Sequence, residues 1–153
     1  MSKPAPVRVA VGCDQAGVEL KAVVIEELLA AGFQVQDHSE DPALDYPDAA
    51  DAVARSVAGG QAHRGVLICG TGIGMSSTAN KVEGVRAALC ADPYSARMSR
   101  EHNDANVLCL GGRTLGSGPA RDIIRAWIEA PVSSEERHVR RRDKITAIER
   151  TEG

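Results

Sequence analysis

Aromatic side chains are almost missing from this 153-residue chain: one Phe, one Trp and two Tyr, 3% in all. Its core must therefore be assembled from Val, Ile, Leu and Ala. The scarcity also removes the stacking platforms on which single-stranded nucleic acid is held. An excess of either charge is missing too. Lys and Arg number 18 against 21 Asp and Glu, a net charge of −3 that gives no global pull toward nucleic acid or membrane. No apolar run approaches the roughly 18 residues of a spanning helix. The opening MSKPAPVRV lacks the apolar stretch of a signal peptide, so a cytoplasmic location is expected. The four cysteines (Cys13, Cys69, Cys90, Cys109) form no C-x-x-C pair, which argues against zinc and disulfide frameworks. No repeat, linker or low-complexity stretch divides residues 1–153, which read as a single domain.

What is there alternates. Short apolar runs at Val7–Gly12, Phe33–His38, Gly65–Cys69, Val85–Cys90 and Val107–Leu110 read as five strands. Between them lie segments of helical spacing: Val18–Ala31, Pro47 to about Ala58, the stretch after the glycines to about Lys81, Pro93–His102 and Ser117–Ala130. Leu20, Val24, Ile25, Leu28 and Leu29 should form the inner face of the first helix, and Ile123, Ile124, Trp127 and Ile128 that of the fifth. A polar loop, Ser39–Tyr46, precedes Pro47. Strands alternating with helices imply right-handed β-α-β crossovers. The expected fold is α/β: a doubly wound, Rossmann-like, five-stranded parallel sheet. All four cysteines are expected at carboxyl ends of strands, the edge where such sheets bind ligands, together with Asp14, Gln15, Thr71, Asp92 and Arg113.

The segment 130–153 differs in character. Ser133 and Glu136 suggest a capping box opening a C-terminal helix, Arg137–Arg150, that carries Arg137, Arg140, Arg141, Arg142 and Lys144. Arg137 and Arg141 are four apart and share one face. A solvated basic face is the plain expectation for such a helix.

The chemistry concentrates in Gly65–Asn80, GVLICGTGIGMSSTAN. A strand ending in Cys69 and turning through Gly70, Gly72 and Gly74 into a helix offers a thiol and bare N–H groups at one spot, an anion cradle. Three readings compete. A dinucleotide fingerprint needs a third glycine where Met75 stands and a loop after the first strand, although Asp92 imitates the ribose-binding acid. A Cys nucleophile needs a histidine beside it. A Cys general base needs its thiolate favoured by a helix N-terminus, while the loop's N–H groups stabilise an enediolate. On residues alone the choice among reactions stays open, as does a non-catalytic sugar-phosphate or nucleotide-binding role.

In order and with matching gaps, several motifs span Val7 to about Glu149. They are Gly12-Cys13-Asp14 with Ala16-Gly17, Asp45-Tyr46-Pro47, Cys69-Gly70-Thr71-Gly72 with Gly74, Ala79-Asn80-Lys81, Pro93-Tyr94-Ser95-Ala96, His102-Asn103-Asp104 with Asn106, and Arg137-His138 with Arg141. This succession resembles the type B ribose-5-phosphate isomerases, whose family includes galactose-6-phosphate isomerase subunits and allose-6-phosphate isomerases.

The resemblance implies a metal-free, cofactor-free interconversion of an aldose phosphate and its ketose phosphate through an enediol. It assigns the proton-transfer base to Cys69 and the anion hole to Thr71 and the N–H groups of Gly70–Gly74, with Asn103 nearby. Ring opening falls to His102, sugar hydroxyls to Asp14, and the phosphate to Arg113, Arg137 and Arg141. Tyr46 and Gln15 complete the expected substrate contacts. It further implies a homodimer or tetramer with a site built from both subunits, residues 130–153 contributing. One family branch uses a glutamate directly after the glycine loop; Met75 stands there and cannot accept a proton. Gln15 departs from the usual Asp-His at its turn and cannot carry charge. Ribose 5-phosphate is the first substrate expected, with allose 6-phosphate or a tetrose phosphate as alternatives. His38, His63, His138, Arg140, Arg142 and Lys144 are expected to be structural or exposed.

Overall fold

The structure, a computed structural model, describes residues 5–41 and 44–152. The first four residues, Pro42, Ala43 and Gly153 lie outside the described residues, and with them the reading of the opening segment and the middle of the 39–46 loop.

The elements run β1 (Arg8–Cys13), α1 (Val18–Ala30), β2 (Gln34–Asp37), α2 (Tyr46–Ala58), β3 (Arg64–Cys69), α3 (Ile73–Ala79), β4 (Ala87–Leu89), α4 (Pro93–Glu101), β5 (Val107–Gly111), α5 (Ser117–Glu129) and α6 (Glu136–Glu152). A 3-10 turn at Gln15–Gly17 leads into α1. Local chemistry sets several of these boundaries. Gly32, at φ +89°, ends the turn after α1 in a conformation that suits glycine. Pro47 stands in the first turn of α2, where its missing N–H costs nothing. Asp92 caps α4 by accepting the Ser95 N–H at 2.7 Å and its hydroxyl at 2.8 Å.

All strand pairs are parallel, in the order β2-β1-β3-β5-β4. The chain winds outward from β1 to β2, crosses back to β3, and then proceeds the other way. That reversal between β1 and β3 opens a crevice at their carboxyl ends. Strand alternation divides the core into two layers. Val9, Val11, Val66, Ile68, Leu108 and Leu110 pack with Leu20, Val24 and Leu28 of α1 and Ile123, Ile124 and Trp127 of α5. Ala10, Leu67, Cys69, Val107 and Cys109 pack under Ala49, Val53 and Val57 of α2 and Met75 and Ala79 of α3.

Four expectations need correction. Cys109 sits in the middle of β5, fully buried, rather than at a strand end. Leu29 is exposed, because α1 turns Glu27 inward instead. The Glu27 carboxylate is ion-paired with Arg121 at 2.8 Å and Arg125 at 2.9 Å from α5, which makes its burial tolerable. Ser133 does not cap α6: its hydroxyl accepts the Glu135 N–H at 3.1 Å and bonds the His138 ring at 2.8 Å. Finally, β4 is only three residues long, an edge strand paired on one side. Among the described residues no helix is long and apolar enough to cross a membrane.

The crevice depends on close backbone approach. A Cβ on Gly17 would lie 2.6 Å from the Ile68 carbonyl oxygen and 2.9 Å from Cys13 Cβ. Gly17→Ala should therefore force β1 and β3 apart at their ends and lower stability by about 1–3 kcal/mol, measured as a lower melting temperature. A melting temperature equal to the parent's would show that the backbone there yields freely.

Candidate active site

The crevice becomes a site because three loops converge on it. The loop after β1 carries Asp14, half-buried, whose Oδ1 accepts the Ala16 N–H at 3.0 Å and so fixes the 3-10 turn; Gln15 beside it is exposed. The loop after β3 carries Cys69 and the glycines. The loop after β5 carries Arg113. Strand order places β5 directly beside β3, and their loops are stitched together: the Gly112 N–H donates to the Cys69 carbonyl at 2.7 Å and the Arg113 N–H to the Gly70 carbonyl at 2.9 Å. Arg113 consequently lies across Gly70, whose missing Cβ would sit 3.6 Å from its guanidinium.

Cys69 closes the bottom of this cleft at 5% exposure. Gly72 is in the left-handed region at φ +82°, and this conformation turns its N–H onto Cys69 Sγ at 3.2 Å. The Thr71 hydroxyl oxygen accepts the Ile73 N–H at 3.3 Å, which leaves its own hydrogen free to donate outward. The first-turn N–H groups of Gly74 and Met75 have no intrahelical carbonyl to bond. Tyr46, the first residue of α2, lays its ring over Gly74, in the space a side chain there would occupy. Asp14, Tyr46, Cys69, Thr71, Thr78 and Arg113 are among the residues lining a cleft of about 560 Å³. Gln15 and Tyr46 line the adjoining hollow.

The other three thiols are set apart from this role. Burial pushes the Cys13 thiol up despite a Ser39 hydroxyl beside it, and pushes Cys90 up to about 11. Burial, with Cys69 and Cys90 close by, raises Cys109 as well. Met75 is fully buried in the core and offers no proton acceptor. Asp92 is occupied as a helix cap, which removes the imitation of a ribose-binding acid.

The remaining expected residues gather elsewhere. Helix α4 begins at the carboxyl edge of the sheet and runs back antiparallel to the strands, so His102 and Asn103 at its end sit near the start of β5. They are at the opposite edge from Cys69, and neither lines its cleft. Within one chain, Asn103 is therefore not beside the glycine loop. Helix α6 joins this second group. His138, on α6, stacks on His102 with ring centroids 4.1 Å apart. The Arg137 Nε donates to His138 Nε2 at 3.4 Å, so Nδ1 carries the hydrogen that bonds Ser133. Burial, with His102 and Arg137 close by, pushes the His138 imidazole down and keeps it neutral. Arg137 pairs with Glu135 at 3.0 Å, and Arg141 is exposed without an ion-pair partner among the described residues. Arg142 is not a solvated surface residue. It donates to the carbonyls of His102 and Ser133 at 3.1 and 2.9 Å, a role with no signature in sequence spacing. Among the described residues no group of three or more His, Cys, Asp or Glu side chains is arranged to hold a metal ion.

Comparison with known proteins agrees on one group. A family model described as Ribose/Galactose Isomerase matches residues 9–145. The Escherichia coli (strain K12) protein named ribose-5-phosphate isomerase B is 45% identical over 144 residues, 93% of this chain and 96% of its own length. A Pectobacterium atrosepticum protein named D-erythrulose-4-phosphate isomerase is also 45% identical, over 125 residues, covering 80% of this chain and 82% of its own. Among solved structures, type B ribose 5-phosphate isomerase from Trypanosoma cruzi superposes with a TM-score of 0.90 at 49% identity, covering 94% of this chain and 99% of that one. The corresponding Clostridium thermocellum protein gives 0.92 at 43% identity, covering 96% and 100%.

The thiol environments predict a labelling pattern. At pH 8 a small alkylating reagent should modify one cysteine of the folded protein quickly, and Cys69→Ala should abolish that fast phase. Rapid modification of two or more thiols, or an unchanged pattern in the variant, would contradict the burial assigned to Cys13, Cys90 and Cys109.

Proposed function

The chain belongs to the ribose/galactose isomerase family, and on that premise we propose that it interconverts ribose 5-phosphate and ribulose 5-phosphate with Cys69 as the proton-transfer base. It is a sugar-phosphate isomerase, and several of the relatives and solved structures it resembles are named ribose-5-phosphate isomerases. The observation that carries the proposal is the sulfur of Cys69 at the base of the cleft with a backbone N–H held on it.

In the proposed reaction the open-chain aldose lies with C1 and C2 over Cys69. The thiolate takes the proton from C2, and the electron pair moves into an enediolate. The Thr71 hydroxyl and the unpaired N–H groups at the start of α3 stabilise the negative oxygen. Returning the proton to C1, with the hydroxyl proton moving from O2 to O1, gives the ketose. Asp14 accepts hydrogen bonds from sugar hydroxyls, Tyr46 bounds the cleft, and Arg113 meets the phosphate in the fork geometry of guanidinium.

Ring opening requires His102, and further phosphate charge requires Arg137 and Arg141. All three are at the other edge of the sheet. A second copy supplies them: in the proposed homodimer, the His102–Asn103 turn and the α6 arginines of one chain complete the Cys69 cleft of its partner. This reading gives residues 130–153 a purpose within a domain whose sheet is already complete.

Gln15 favours one alternative, an isomerase of a four-carbon sugar phosphate, and a relative of that name matches at the same 45% identity, over 80% of the chain against 93% for the pentose isomerase. The deciding experiment is a turnover panel of tetrose, pentose and hexose phosphates. Ribose 5-phosphate should give the highest kcat/KM; preference for a tetrose phosphate would move the substrate assignment, and no turnover of any would end the isomerase reading. In the same assay Cys69→Ala should lower kcat by about 10²–10⁴-fold, the usual contribution of a positioned base, with substrate binding retained by calorimetry. Activity near the parent's would reassign the base.

Complementation tests the dimer. Cys69→Ala and His102→Asn should each be nearly inactive. Their mixture after co-refolding should recover about a quarter of parental activity, since half the random dimers are mixed and each carries one intact site. An inactive mixture would mean that each chain builds its site alone.

A further inference from the structure

We propose that Arg142 is a positioning residue that sets His102 for ring opening, an inference resting on the isomerase reading above. One guanidinium bridges two carbonyls from separate parts of the chain: Nη1 donates to His102 at 3.1 Å and Nη2 to Ser133 at 2.9 Å. His102 is the C-cap of α4, where a carbonyl has no helical N–H to accept from and a cation complements the helix dipole. Arg142 satisfies that acceptor and joins it to the segment that leads into α6.

The turn it holds needs holding. Asp104, two residues beyond His102, is the one non-glycine residue at positive φ among the described residues, at +49°. Arg100 secures the turn on the sheet side through Asp104 Oδ1 and the Ala105 carbonyl, both at 2.9 Å. Arg142 secures it on the α6 side. Asn103, exposed between the two anchors, has its backbone fixed from both directions.

The position of Arg142 in sequence adds a second consequence. It follows Arg141 directly and lies five residues after Arg137, so the backbone of the proposed phosphate ligands is tied to the backbone of His102. The ring-opening group and the phosphate grip then present themselves to the substrate as one rigid unit. Displacement of a reacting group by about 1 Å can cost about two orders of magnitude in rate, so the bridge acts on catalysis while touching no substrate atom. Lysine cannot replace it: an ammonium donates from a single point, whereas the guanidinium fork spans both carbonyls.

The chemistry of the two substrates separates this role from a purely structural one. Ribose 5-phosphate closes a ring through O4 onto C1. Ribulose 5-phosphate has its O5 phosphorylated and stays open. Ring opening therefore precedes proton transfer in one direction only. Arg142→Met should lower turnover at saturating ribose 5-phosphate by about tenfold or more and turnover at saturating ribulose 5-phosphate by about threefold or less. Arg142→Lys, which keeps the charge at the helix end, should show the same asymmetry at smaller size and serves where the Met variant fails to fold. Equal losses in both directions, or no loss, overturn the proposal. A parent protein that turns over no pentose phosphate overturns the isomerase reading instead, so the two failures are told apart.

Discussion

Two hydrogen bonds between neighbouring loops, from Gly112 N–H to the Cys69 carbonyl and from Arg113 N–H to the Gly70 carbonyl, hold the functional edge of this molecule together. They exist because β5, fifth in sequence, inserts beside β3 and leaves β4 at the edge. With that insertion the end of β3 has β1 on one side and β5 on the other. The thiol, the aspartate turn and the arginine then meet over one cleft. Glycine is required where backbones approach most closely. At Gly17 a carbonyl fills the space for a side chain, and at Gly72 the left-handed backbone turns an N–H onto sulfur.

The same topology explains why the second group of residues lies away from the first. A helix that follows a strand in a parallel sheet returns to the opposite edge, so whatever ends α4 is one helix length from the thiol. Nine residues at about 1.5 Å rise span roughly 13 Å. The His102 turn is then fastened to α6 by Arg142 and by the stacking of His138. The chain thus carries two groups of candidate site residues at opposite edges of one sheet. That arrangement suits a site completed between two copies.

Much of this was legible from residue patterns. The five strands, the helices and their amphipathic faces follow from apolar periodicity, with boundaries shifted by one or two residues where Cys13 and Arg64 extend strands. That Asp14, Cys69, Thr71 and Arg113 would share one cleft was legible because turn residues at strand ends face one edge in any parallel sheet. Three features were hidden. Glu27 reads as an outward helix position until Arg121 and Arg125, nearly a hundred residues later, neutralise it. Asp92 reads as a ligand-binding acid until its bonds to Ser95 show it to be a cap. Arg142 reads as surface charge, since its partners are backbone carbonyls, which no residue pattern reveals.

By itself the sequence determined the fold class, the thiol-and-glycine loop and the exclusion of Met75 as a base, because these depend on local periodicity, backbone freedom and side-chain chemistry. Only the tertiary structure decided which strands are neighbours, and hence that Arg113 crosses Gly70 and that His102 stands with Arg137 and His138 rather than with Cys69. Strand order is fixed by how the two helical layers cover the sheet, a property of the whole chain and of no segment within it.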